Sequence, residues 1–168
     1  MIYVFALILS ISIISCSNKP SPELLQLQKE NKQLADNLKM YVPLWDDIIN
    51  KGEIDLINET NFDKNITLVA SPNIVGIEGF KDYYKNFLTG FSNITFTVVD
   101  AFGQGDKIVK HWIFKGTHTG DFFGIPATNK EVNVAGVTLV LMKDGKIAQE
   151  QDFMDNLEFM QQLGVIPR

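Results

Sequence analysis

Gly116-Thr117-His118-Thr119-Gly120, Gly124-Ile125-Pro126-Ala127-Thr128 and Asp144-Gly145-Lys146-Ile147 divide the last third of the chain into extended runs. Gly and Pro end regular structure, and Asp-Gly suits a two-residue hairpin turn because both positions tolerate a left-handed backbone. The runs at residues 107–117, 131–142 and 146–154 are rich in Val, Ile, Thr, Phe and Trp and read as strands. Working backwards, Gly103-Gln104-Gly105-Asp106 joins the first of them to a fourth run at residues 94–102. Links this short make the strands antiparallel.

Upstream the period changes. Ile77, Phe80, Tyr84, Phe87 and Leu88 recur at helical spacing and predict a helix over 76–91. Shorter helical pieces are expected at 44–50 and 54–59, a β-like run at 65–70, and a turn at Ser71-Pro72-Asn73. A last helix over 156–163 follows Asp155, which is placed to accept from the first free backbone N–H groups, with Glu158 in the capping-box position. Helices early and consecutive strands late predict an α+β domain.

Taken in order with Asp152, Asp155 and Gln162-Leu163-Gly164, these motifs resemble the SnoaL-like polyketide cyclase branch of the nuclear transport factor 2-like superfamily. The resemblance covers roughly residues 41–164. It implies a half-open cone, a curved antiparallel sheet packed on N-terminal helices and enclosing a pocket. It also implies a general acid/base aspartate on the last strand just after the Asp-Gly-Lys-Ile hairpin, which here is Asp152. Alternation places Glu150, Asp152 and Met154 on one face and Gln151, Phe153 and Asp155 on the other. In an aromatic-lined cavity, desolvation would raise the pKa of such a carboxylate toward a value suited to moving protons on carbon. Cyclases of this family also present a histidine facing that aspartate from the neighbouring strand. This chain has Thr138 there, whose hydroxyl can hydrogen-bond a ligand oxygen but does not trade protons near neutral pH.

Tyr84, Trp112, Thr138 and Glu150 are the candidate pocket residues, against a reading of the aromatic ones as ordinary core. Of the two histidines, His111 lies mid-strand on the face of Val109 and Ile113. His118, at a strand end between threonines, is the better catalytic candidate, against a reading as a loop hydrogen bond. Two functions stay open: a pocket that binds a small, largely apolar ligand, or a cyclase/isomerase-type enzyme using Asp152 as general acid/base on a carbonyl substrate.

The front of the chain carries an address. Residues 2–14 are uncharged and almost wholly apolar, too short to span a bilayer as a helix, and end at Ser15-Cys16-Ser17. Ile13-Ile14-Ser15-Cys16 resembles the bacterial lipobox, although no Lys or Arg precedes the apolar run. The resulting division is a signal peptide at 1–15, a tether and stalk helix at 16–40 beginning at a lipidated Cys16, and a cone domain at 41–168. That implies an exported, membrane-anchored envelope lipoprotein. In the stalk, Leu24, Leu27, Asn31, Leu34, Leu38, Tyr41 and Trp45 follow a heptad seam. The seam serves either a homodimer or a helix laid on its own domain, and Pro43 is expected to interrupt it.

The balance of 15 basic against 20 acidic residues, with no basic cluster, excludes a nucleic-acid partner. One cysteine and two histidines cannot assemble the usual zinc frameworks, so neither a metal nor a cofactor is expected.

Overall fold

A computed structural model describes residues 19–167; the expected signal peptide, Cys16 and the start of the expected tether lie outside the described residues. The first helix, α1 (Pro22–Asn50), is capped by Ser21, whose hydroxyl accepts from the Leu24 N–H at 3.1 Å. It runs without a break through Pro43, so the interruption expected there does not occur. Pro43 faces solvent, and the carbonyl it leaves unpaired belongs to Lys39, also an exposed residue. An internal proline costs a helix about 3 kcal/mol. Tyr41, Leu44, Trp45, Ile48 and Ile49 are all buried on the opposite side, at about 1.5–3 kcal/mol for each large apolar side chain, and outweigh it. The seam divides in the same way: Leu24 and Leu27 are exposed, whereas Leu34 and Leu38 pack against the core.

A single 3-10 turn (Ile54–Leu56) leads to β1 (Phe62–Leu68) and β2 (Ile74–Val75), followed by α2 (Ile77–Gly90). Four long strands come next, β3 (Phe91–Gln104), β4 (Lys107–His118), β5 (Glu131–Lys143) and β6 (Lys146–Met154), and α3 (Asn156–Leu163) closes the chain. Asp155 caps α3, accepting from the Glu158 N–H at 2.9 Å. The strands form one sheet in the order β2-β1-β6-β5-β4-β3. Neighbours are antiparallel except β1 and β6, which run parallel and bring the early strands to the far edge of the late ones. The protein thus has the expected α+β half-open cone.

Alternation decides what faces inward. In β4 and β5 the even-numbered residues, Ile108 to His118 and Val132 to Met142, point to the helices. In β6 the register slips between Leu141 and Met142, so that Ile147 and Glu150 are both buried although their numbers differ in parity. α1 and α2 close the concave side through Trp45, which meets Tyr84 at 4.6 Å between ring centroids and also touches Phe62 and Phe80. On the convex face Phe102, Leu139 and Phe153 stay about half exposed.

Gly136 on β5 sits directly beneath the Trp112 indole. A Cβ there would lie 2.3 Å from Trp112 Cζ2 and 2.7 Å from the Phe153 carbonyl oxygen. Gly136→Ala should therefore push the indole aside and destabilise the domain by about 1–3 kcal/mol, the usual cost of overpacking a tight interior. Urea unfolding followed by tryptophan fluorescence measures it.

Candidate functional site

The hydrogen-bond ladder sets Lys110 of β4, Thr138 of β5 and Asp152 of β6 side by side in one row across the sheet. In the next row Ile108 and Val140 lead to Glu150, and in the row on the other side Trp112 and Gly136 lead to Met154. All these side chains face the helices. Above them lies a cavity with about 60 Å³ of space for the centre of a water molecule, lined by Trp45, Tyr83, Tyr84, Phe87, Trp112 and Phe159 among others. Lys110 and Asp152 are the charged groups in its wall.

Asp152 is held at both oxygens. Trp112 Nε1 can only donate, and it donates to Thr138 Oγ1 at 2.9 Å. The threonine proton is thereby free to go to Asp152 Oδ1, at 2.5 Å. The Tyr84 hydroxyl lies 3.2 Å from Asp152 Oδ2 and 3.1 Å from Glu150 Oε2, so its single proton is shared between two carboxylates. The Tyr41 hydroxyl, from α1, donates to Glu150 Oε1 at 2.5 Å.

Glu150 is fully buried, and its countercharge is Lys110, with Nζ 4.0 Å from Oε1 and equally buried. Burial pushes the Glu150 carboxyl up to about 6, while Lys110 pulls it down and Asp152 adds to the rise. Burial lowers the Lys110 ammonium against the opposing pull of Glu150 and Asp152. The same desolvation, reinforced by the neighbouring carboxylates, raises the Tyr41 and Tyr84 phenols well above their ordinary value and Tyr83 to about 12, so all three remain donors. The ammonium also sits 4.2 Å from the Trp45 ring centre and 5.2 Å from that of Tyr41, contacts that offset part of its desolvation.

A SnoaL-like polyketide cyclase family model matches residues 39–163, about three-quarters of the chain. The chain belongs to this family. Solved structures agree on the fold: a protein of Jannaschia sp. CCS1 assigned as a SnoaL-like polyketide cyclase is 22% identical with a TM-score of 0.73, over 80% of this chain and 96% of its own. TsrD of Streptomyces laurentii is 23% identical with a TM-score of 0.69, over 82% of this chain and 98% of its own. A Bacillus cereus ATCC 10987 protein assigned as a polyketide cyclase is 28% identical with a TM-score of 0.62, over 83% of this chain and 85% of its own. No curated protein sequence matches.

Within this SnoaL-like frame the residues singled out from sequence fall into two groups. Asp152, Tyr84 and Trp112 line the cavity, and Thr138 and Glu150 stand just behind its wall, hydrogen-bonded to them. His118 stands apart. It shares the inward parity of β4, is fully buried rather than open at the mouth, and packs on Phe91 with ring centroids 5.2 Å apart. Its Nδ1 accepts from the Thr128 N–H at 3.3 Å, which is the loop hydrogen bond. His111 is half-buried on the convex face.

Sequence reasoning passed over Lys110 and Tyr41. Lys110 had a signal: it shares the parity of Trp112 and Phe114, so placing Trp112 inside places Lys110 inside too. Tyr41 had none beyond its heptad position, since its partner Glu150 is 109 residues away.

The raised Glu150 value has a definite sign. A carboxyl whose folded pKa exceeds its unfolded value, near 4.5, contributes stability that is complete below 4.5 and lost as pH rises through about 6. The wild-type protein should lose about 2 kcal/mol relative to Glu150→Gln between pH 4.5 and 6, then run parallel to it. Denaturant unfolding of both proteins across that range tests the sign.

Proposed function

We propose that the domain binds a small, largely apolar molecule in the aromatic cavity above the Lys110–Thr138–Asp152 row. The observation that carries this reading is the cavity: aromatic side chains from the sheet and all three helices make most of its wall, and Lys110 and Asp152 are its charged groups. Its space corresponds to roughly four or five waters, the bulk of a single small ring. Cyclohexanone and ethylbenzene should each raise the melting temperature of the wild-type protein. Val134→Phe, which fills the cavity from β5, should abolish the shift. No stabilisation of the wild-type protein by either compound counts against the reading.

A second reading is proton-transfer catalysis of the cyclase/isomerase type. What favours it is the fixing of both Asp152 oxygens, by Thr138 and Tyr84, within that apolar wall. Catalysed exchange of the α-hydrogens of cyclohexanone for deuterium, absent in Asp152→Asn while ligand stabilisation persists, supports catalysis. Binding without exchange leaves the first reading alone.

The proposal extends to the address: export, and anchoring to the cell envelope through a lipidated Cys16. The support is the apolar run ending at Ser15-Cys16, followed at once by a Pro- and Ser-rich tether. The exposed first turns of α1 suit a spacer. Cys16→Ser should move the protein from the membrane fraction to the soluble one, and unchanged fractionation would sink the idea.

A further inference from the structure

We propose that Lys110 is the group that receives the ligand, and that it takes a neutral carbonyl oxygen on an otherwise apolar molecule. This rests on the reading of the cavity as a ligand site. An ammonium has three N–H donors. That of Lys110 makes no hydrogen bond among the described residues, and its ion-pair partner Glu150 stands 4.0 Å away, beyond hydrogen-bond length. The residue is 2% exposed, yet it forms part of the cavity wall. Its donors therefore open on the cavity rather than on a protein acceptor, and a ligand oxygen entering there gives them one.

Charge selects the kind of oxygen. Glu150 and Asp152 already flank the single ammonium, and burial lowers its proton affinity despite them. A ligand carboxylate would place a third negative group against one positive one, out of water, and be rejected. A ketone or aldehyde oxygen accepts from the ammonium without adding charge. The rest of the ligand meets Trp45, Phe96, Trp112 and Phe114, an environment for ring or alkyl carbon.

The same geometry separates two roles within one row. Thr138, which sits between Lys110 and Asp152 in the row, has its proton committed to Asp152 and its lone pair to the Trp112 N–H. It is left with little to offer a ligand. The donor to the ligand is therefore one strand farther over, on β4.

Acetophenone, ethylbenzene and benzoate form a matched set of probes that differ in the oxygen. Titrated into the full-length protein, acetophenone should bind about tenfold or more tightly than ethylbenzene, the effect of one charged donor. Its 13C-labelled carbonyl resonance should move downfield on binding, and benzoate should bind more weakly than acetophenone. In Lys110→Met the ketone preference should collapse to within about twofold while ethylbenzene still binds. Lys110→Met/Glu150→Gln, which removes both buried charges together, gives the same readout should the single variant not fold. Equal affinity of the wild-type protein for acetophenone and ethylbenzene overturns the assignment of Lys110 and leaves the apolar site standing. Binding of neither overturns the ligand-site reading itself. Benzoate binding more tightly than acetophenone overturns the choice of a neutral oxygen.

Discussion

The burial of Glu150 is the constraint around which the rest of the domain is arranged. An ionised carboxylate out of water demands donors and a countercharge, and each comes from a different element. Tyr41 arrives from α1, Tyr84 from α2 and Lys110 from β4. Satisfying one side chain thus ties both helices to the sheet at fixed positions, which non-directional apolar packing between them cannot do. Such an arrangement is weak evidence of net stability, because desolvating an ion pair costs about as much as the pair returns. Its effect is on geometry: it sets the roof height over the row Lys110–Thr138–Asp152, and so the cavity.

The cavity exists because the aromatic side chains around it are held apart. Trp45 is propped on Phe62, Phe80 and Tyr84, while Trp112 is pinned by its hydrogen bond to Thr138 and by the missing side chain at Gly136. Side chains in an unconstrained aromatic core would close on one another to interior density. Here the polar contacts beneath the rings prevent it. The charged pair and the open space are two consequences of one arrangement.

How much of this was legible in the sequence depended on the range of the interaction involved. The hairpins of β3 to β6 were readable because Gly103-Gln104-Gly105-Asp106 and Asp144-Gly145 act locally, through backbone conformations that few residues accept. The cap at Asp155 was readable for the same reason. Continuity of α1 through Pro43 was not, because the local rule against proline was overridden by tertiary burial, such as that of Trp45 against Phe62, Phe80 and Tyr84. The parallel β1–β6 pair carries no turn that announces it. Lys110 was hidden by composition: Ile108, Val109, Trp112, Ile113 and Phe114 make both faces of β4 apolar, so a lysine among them reads as the solvated exception. His118 misled in the opposite sense. Its glycine-flanked position suggested a loop, while its parity turned it into an aromatic cluster.

The departure at Thr138 gains meaning from the same row. The resemblance implied a histidine opposite Asp152, and threonine there removes the group that could pass a proton near neutral pH. The row still contains a second titratable side chain, Lys110, displaced by one strand. The exchange is not neutral for chemistry. An imidazole both gives and takes protons near pH 7, whereas an ammonium is a hydrogen-bond donor and an acid but not a base. Thr138 meanwhile is spent on orienting Asp152. In the catalytic reading Asp152 would take the proton from carbon, with the Lys110 ammonium stabilising the charge that develops on a ligand oxygen.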